Sequence, residues 1–406
     1  MIGEPSTSSA TFDKNVARKV VRKINDNVEV LIKDSKLVDK NYYEKDEQFG
    51  LFTKSELQLG ELLGSGGFSD IYEIRGFKCA CEKKFAPREI LQRQRLEKQA
   101  VDSKGNSKFV VKHLKSKLAE DTSKFALSAA DLIIEAHLLT ILNHKNILSI
   151  WGWSWMGAFA YSSGDHDGYF LVLDRLYDTL DKRIEKWRSI KNEDLRIPTQ
   201  IVQQVALGLE YLHSKNIVFR DVKPENVGFD KDGIVKIFDF GLARELPNKK
   251  FSMSDAYHMT GKVGTLRYMA PECARSKQYN QKVDSYSLAL LFWNCLTLNR
   301  PYDGMSRSDH KQKVCFRAAR PQLDDSWPES IRKLLKKSWA PSLRTRLTMS
   351  KICTELEQIQ TELRQDQILK ESGRISNFVS STTTRTRGIL IDNSSALKML
   401  SSTNLC

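Results

Sequence analysis

Apolar residues recur along the chain in three rhythms. Near the N-terminus Val16, Val20, Ile24, Val28 and Ile32 repeat at helical spacing, which predicts one amphipathic helix over 14–34, docked on the chain's own core. Residues 57–75 and 108–174 then carry short runs rich in β-branched and aromatic residues. "ELQLGELL", "FVVKHLK", "ILSIWGW" and "YFLVLDRL" read as strands, and "SAADLIIEAHLLTIL" between them reads as a helix. After residue 175 helical spacing dominates, over 177–191, 198–214, 280–298, 328–338 and 347–370. The expected architecture is α+β: a small β-rich lobe with one helix, then a larger helical lobe. A cleft between two such lobes is the natural place for a ligand.

Three segments fall outside these rhythms. Residues 1–14 are polar. The stretch 76–107 ("KCACEKKFAPREILQRQRLEKQAVDSKGNS" within it) is basic and Gln-rich, and reads as an insertion formed mostly of a solvated helix or loop. From about residue 372 Ser and Thr dominate. The expected organisation is therefore an extension at 1–56, a domain at 57–360 with the insertion inside it, and a disordered tail at 361–406.

Composition narrows the class. The chain has 406 residues with 40% hydrophobic and 28% charged, ordinary for a globular protein. Its formal net charge of +14 fits phosphate-bearing ligands, nucleic acid or an anionic surface. The basic residues are scattered rather than blocked, which argues against nucleic acid as the main partner. Cys79 and Cys81 lack the second pair a zinc knuckle needs, so the seven cysteines suit free thiols in a reducing compartment. "YSLALLFWNCLTL" is too short for a bilayer and contains Asn294, so it reads as a buried helix. The expected location is the cytoplasm, with the nucleus as the alternative.

Candidate chemistry sits on four stretches. "LGSGGFSDIY" (63–72) places Gly64, Gly66 and Gly67 after a strand, where backbone N–H groups can approach phosphate oxygens without a Cβ in the way. A plain hairpin is the competing explanation, and no G-K-[ST] closes a P-loop. "FVVKHLK" puts Lys112 inside a strand. Glu135 stands on the apolar helix face of Leu132 and Leu139 and needs a cation, for which Lys112 is the candidate. Lys83 and Lys84 are rivals, disfavoured because Glu82 would fall in a buried strand slot. "IVFRDVKPENVGF" presents Asp221, Lys223 and Asn226 on a loop that Pro224 keeps out of regular structure. "KIFDFGLA" ends a strand in Asp239, whose carboxylate with Asn226 supplies hard oxygen ligands suited to Mg²⁺.

In this order the motifs resemble the eukaryotic protein kinase family over roughly residues 57–360. The match comprises the Gly-rich loop, Lys112 with Glu135, Phe219-Arg220-Asp221 through Asn226, Asp239-Phe240-Gly241, Ala270-Pro271-Glu272, Asp284 and Arg346. Lys223 and "GTLRYMAPE" are similar to Ser/Thr kinases, and "SWAPSLRTRLT" resembles the tyrosine-kinase-like group of them. The resemblance implies a bilobal kinase fold and transfer of the ATP γ-phosphoryl group to protein hydroxyls, with ATP and Mg²⁺ bound; a pseudokinase scaffold is the alternative.

The roles it implies are these. Leu63, Gly64, Ser65, Gly66, Gly67, Phe68 and Ile71 cover ATP, Lys112 binds its phosphates with Glu135 as ion-pair partner, and Leu173 backs the adenine pocket. Asp174, Arg175 and Leu176 form the hinge, Asn226 and Asp239 hold the metal, and Asp221 and Lys223 are catalytic. Protein substrates and an upstream activating kinase are the implied partners, with Ser252, Ser254 and Thr260 as phosphosites read by Arg220. Three departures stand out. Phe219 replaces the usual His and is expected to stack with Phe240, Leu139 and Ile150. Ser69 replaces the third loop glycine, and Gly228 replaces a bulky floor residue, which predicts loose adenine packing.

Overall fold

The computed structural model describes residues 11–32, 35–37, 49–79, 87–190, 194–246, 257 and 264–385, the last of these without side chains beyond 369. The chain divides into two compact units, Met1–Glu357 and Gln358–Cys406.

The first unit opens with helix α1 (Lys14–Ile32), which buries Ala17, Val20, Val21 and Ile24. A six-stranded sheet follows in the order β1-β5-β6-β4-β3-β2. Its strands are β1 (Gly50–Phe52), β2 (Leu57–Ser65), β3 (Ser69–Phe77), β4 (Phe109–Leu114), β5 (Ile150–Ser154) and β6 (Phe170–Asp174). Helix α3 (Thr122–Ile141) lies between β4 and β5 in sequence, and Asp121 caps its N-terminus by accepting from the Ser123 and Lys124 amides. Phe12 meets Phe125 of α3 edge to face at 5.1 Å, so the N-terminal segment covers this helix.

The sheet begins inside the expected extension 1–56, where β1 pairs in parallel with β5 through Gly50↔Gly152 and Phe52↔Ser154. A Cβ on Gly152 would collide with the Gly50 carbonyl, so two glycines allow this close approach. A three-residue strand is too short to show an alternating pattern, which is why the sequence hid it. The described part of the insertion is helical, as expected, and it also reaches the core. Its helix α2 (Pro87–Gln99) sinks Leu96 into a cluster with Phe52, Leu57, Ile74, Phe77 and Phe109. Arg93 of α2 forms a buried ion pair with Glu56 and donates to the Leu51 carbonyl at 2.8 Å. A burial-competent arginine needs a partner from another segment, and its local sequence does not reveal one.

The helical lobe comprises α4 (Leu180–Ile190), α5 (Arg196–Ser214), α6 (Pro271–Ala274), α7 (Lys282–Thr297), α8 (Arg307–Asp309) running into a π-helical turn at His310–Phe316, and α9 (Glu329–Ser338). α7 is buried on nearly every side, as its apolar run predicts. Short strands β7 (Asp178–Thr179), β9 (Val227–Phe229) and β10 (Val235–Ile237) form a second sheet, and β8 (Ile217–Val218) pairs with β11 (Arg244–Glu245). Among the described residues no helix is long and apolar enough to cross a membrane.

The last helix, α10 (Met349–Arg385), differs from expectation. The tail was expected to be disordered from 361, yet the helical backbone continues to Arg385. The run from Glu362 to Glu371 is rich in Glu, Gln, Leu, Lys and Arg, which keep a helix going without an apolar face.

Candidate active site

The β2–β3 hairpin carries the glycines. Gly66 donates its amide to the Ser69 carbonyl at 2.9 Å, Ser65 Oγ donates to Asp70 at 2.7 Å, and Phe68 stands exposed at the tip. A Cβ at Gly67 would meet nothing within 4 Å, so space is open beside it. Gly64 and Ile71 pair across the hairpin below it, and Leu63 lies just before Gly64 on β2.

β4 brings Lys112 to the centre of the cleft. Its Nζ donates to Glu135 at 2.9 and 2.6 Å and to Asp239 Oδ1 at 2.9 Å. Burial alone would push the Lys112 ammonium down, but the carboxylates of Asp239 and Glu135 outweigh it and hold the lysine above its ordinary range. Burial pushes the Glu135 carboxyl up, and the Lys112 ammonium opposes this. Asp239 is held below the usual carboxylate range chiefly by the Lys112 charge. Its backbone is left-handed, at φ 68°. Lys83 and Lys84, the rival lysines, lie outside the described residues.

The 219–226 loop is pinned from below. Asp284 of α7 accepts from the Phe219 and Arg220 amides at 2.9 and 2.8 Å. Above this anchor, Asp221 accepts from Lys223 Nζ at 2.5 Å, from Asn226 Nδ2 at 2.9 Å and from the Thr265 amide at 3.0 Å. Lys223 also donates to Thr265 Oγ1 at 3.1 Å. Gly264 permits this closure: its φ is +99°, and a Cβ there would lie 2.5 Å from the Arg220 carbonyl. Asn226 spends its amide N–H₂ on Asp221, which leaves its carbonyl oxygen as the available ligand atom. Phe219 meets Phe240 edge to face at 5.1 Å. Glu272 and the fully buried Arg346 pair at 2.5 Å in the same lobe.

At the hinge the amides of Asp174, Arg175 and Tyr177 donate to the carbonyls of Ser149, Lys108 and Phe229 at 3.2, 2.9 and 2.8 Å. The Leu176 amide makes none of these bonds. The Asp174 carboxylate accepts from Trp151 Nε1 at 2.6 Å, so its side chain is structural. At Gly228, where loose adenine packing is expected, two side chains stand close. A Cβ on Gly228 would lie 2.5 Å from Leu176 Cδ1 and 3.2 Å from Phe238 Cε1. Those two side chains fill the space a larger residue at 228 would take.

Sequence reasoning missed four contributors. Phe238 reads in sequence as one more apolar residue of the run before Asp239. His213 Nε2 lies 2.8 Å from Asp284 and Tyr279 Oη accepts from Arg220 at 3.2 Å, both from distant segments. Asp131 is ion-paired with Arg244, and its place one turn before Glu135 was the available signal. Of the expected phosphosites, Ser252, Ser254 and Thr260 lie outside the described residues.

The protein kinase domain family matches residues 97–356. The chain belongs to the protein kinase family. It is 31% identical over 255 residues to the dual specificity protein kinase pyk3 of Dictyostelium discoideum, covering 63% of this chain and 17% of that one. It is 28% identical over 240 residues to the serine/threonine-protein kinase STY17 of Arabidopsis thaliana, covering 58% and 39%. With the serine/threonine/tyrosine-protein kinase HT1 of the same plant it shares 30% over 199 residues, 48% of each chain. Against a probable serine/threonine-protein kinase of Dictyostelium discoideum it spans only 16% of the relative's length.

Proposed function

We propose that this kinase-family chain is an ATP-dependent protein serine/threonine kinase. The observation that carries the reading is the assembled charge relay across the cleft. Lys112 touches both Glu135 and Asp239, while Asp221 is held by Lys223, Asn226 and Thr265. Lys223, two residues after Asp221, resembles the Ser/Thr kinases, and most of the relatives are named serine/threonine kinases.

Roles follow from chemistry. A buried, permanently charged Lys112, aimed by Glu135, suits the α- and β-phosphates of ATP. Leu63, Gly64, Ser65, Gly66, Gly67, Phe68 and Ile71 form the roof over the nucleotide, and the Leu176 amide and the Asp174 carbonyl meet the adenine edge. Asp221 orients the substrate hydroxyl and accepts its proton, while Lys223 offsets charge on the transferred group. The Asn226 carbonyl oxygen and the half-exposed Asp239 carboxylate are hard oxygen donors that fit Mg²⁺. When bound there, the ion would neutralise phosphate charge.

The test is transfer of labelled phosphate from ATP, with Mg²⁺, to a generic Ser/Thr protein substrate. Asp221→Asn is expected to lose at least about 100-fold in rate, the lower range for a general base, with thermal unfolding little altered, and Lys112→Met to lose activity as well, with a lowered unfolding midpoint because Glu135 is left buried and unpaired. Equal rates in the two variants and the parent would sink the assignment, and labelled tyrosine in the product would redirect the substrate class.

A further inference from the structure

Away from the cleft, on the other side of β4 from Lys112, two histidines and an aspartate converge. One donor atom each from His113, His166 and Asp167 lie within 4.8 Å of one another. His113 is buried on β4, and its neighbours are the Tyr72 ring, stacked at 5.4 Å, and the His166 ring at 5.8 Å. His166 and Asp167 come from the connection between β5 and β6.

Three observations separate this group from an ordinary polar cluster. His113 Nδ1 donates to the Leu114 carbonyl at 2.9 Å, and His166 Nδ1 lies 3.1 Å from Thr11 Oγ1. Both rings are thereby oriented through one nitrogen by an oxygen, the outer-shell arrangement that fixes a ligating imidazole and leaves Nε2 for a metal. Asp167 is only 9% exposed, yet its Oδ1 is buried without a hydrogen-bond partner. The fully buried Tyr161 hydroxyl, which feels the Asp167 charge, is also without one. Unpartnered buried oxygens cost free energy unless something satisfies them.

We propose that His113, His166 and Asp167 form a binding site for a divalent transition-metal ion of the zinc class, with water as fourth ligand. Two imidazoles and a carboxylate suit the borderline-soft preference of Zn²⁺, and the ion would draw their donor atoms together into a tetrahedral set. The site would tie three segments together. The Thr11 and Phe12 amides already donate to the Gly164 carbonyl at 2.9 and 3.0 Å, so the N-terminal segment forms one wall. The β5–β6 connection and the strand bearing Lys112 form the others. One competitor is present: Lys54 Nζ lies 2.5 Å from Asp167 Oδ2. It occupies the second carboxylate oxygen and opposes a cation at the first.

The experiment is titration of chelator-stripped full-length protein with Zn²⁺ alone against a chromophoric competitor, with thermal unfolding in parallel. The parent is expected to bind one Zn²⁺ that His166→Gln and Asp167→Asn do not, and only the parent's unfolding midpoint should rise. Thr11→Val should weaken binding by about tenfold as an outer-shell change, and Lys54→Met should tighten it. Equal zinc stoichiometry and affinity in parent, His166→Gln and Asp167→Asn would overturn the site. X-ray absorption of the zinc-loaded parent decides the matter even if a variant misfolds. Two imidazoles and no sulfur support the site, whereas sulfur at about 2.3 Å would assign the ion to cysteines instead.

Discussion

Gly228 and Phe238 exchange bulk across the floor of the cleft. A leucine at 228 would drive its Cβ into Leu176 Cδ1 and crowd the Phe238 ring. Overpacking of this kind costs about 1–3 kcal/mol when neighbours cannot move. Gly228→Leu is therefore expected to raise the KM for ATP by about tenfold, the equivalent of 1.4 kcal/mol. Leu176→Ala in the Gly228→Leu background should recover most of that loss, because Leu176 is the nearer obstacle and Phe238 the lesser one. Steady-state KM values for Gly228→Leu, Leu176→Ala and the double variant check it. Additive effects would mean that the two positions do not share space.

At the scale of elements, the insertion helix is fastened by Leu96 in the core and by a buried ion pair. Arg93 and Glu56 side chains are 3% and 5% exposed, so removing one leaves the other buried and uncompensated. Arg93→Met should destabilise the protein by about 3–5 kcal/mol, measured by denaturant unfolding, and Glu56→Gln in the same chain should return part of it. For Glu56 burial is opposed, and outweighed, by bonds from Thr53 and Arg93, so its carboxyl titrates below its ordinary value. A lowered folded-state value means that the contribution is complete above the ordinary glutamate range. It is lost as pH falls through the lowered value. The stability difference between the parent and Glu56→Gln should accordingly be constant near neutrality and shrink under acid, and a difference independent of pH would remove Glu56 from this role.

At the scale of the molecule, the N-terminal helix bears on the cleft through α3. α1 buries Val20, Val21 and Ile24, and Phe12 caps Phe125 on the helix that carries Glu135. Ile24 is fully buried, so Ile24→Ala should cost about 2–5 kcal/mol. If α1 holds α3 in place, amide hydrogen exchange in α3 should accelerate in this variant and phosphoryl transfer should fall with it. Unchanged exchange in α3 would make α1 a passive cover.

Much of the site was legible because its chemistry is local in sequence. Asp221, Lys223 and Asn226 share one proline-fixed loop, the glycines share one hairpin, and a carboxylate on the apolar face of α3 announces its need for a cation. The lobes were legible too, since helical and strand rhythms are imposed by which face must be buried. What the sequence by itself could not determine was set by contacts between distant segments. Gly50 meets Gly152 only once the sheet exists, and Arg93 finds Glu56 only when the insertion folds back. Phe238 fills the space beside Gly228 only across two strands. His113 reaches His166 and Asp167 only when the β5–β6 connection closes over β4. A residue's own neighbours dictate its periodicity and its local chemistry; the tertiary structure alone decides which buried charge, ring or void lies opposite it, because that partner is chosen by packing and not by spacing along the chain.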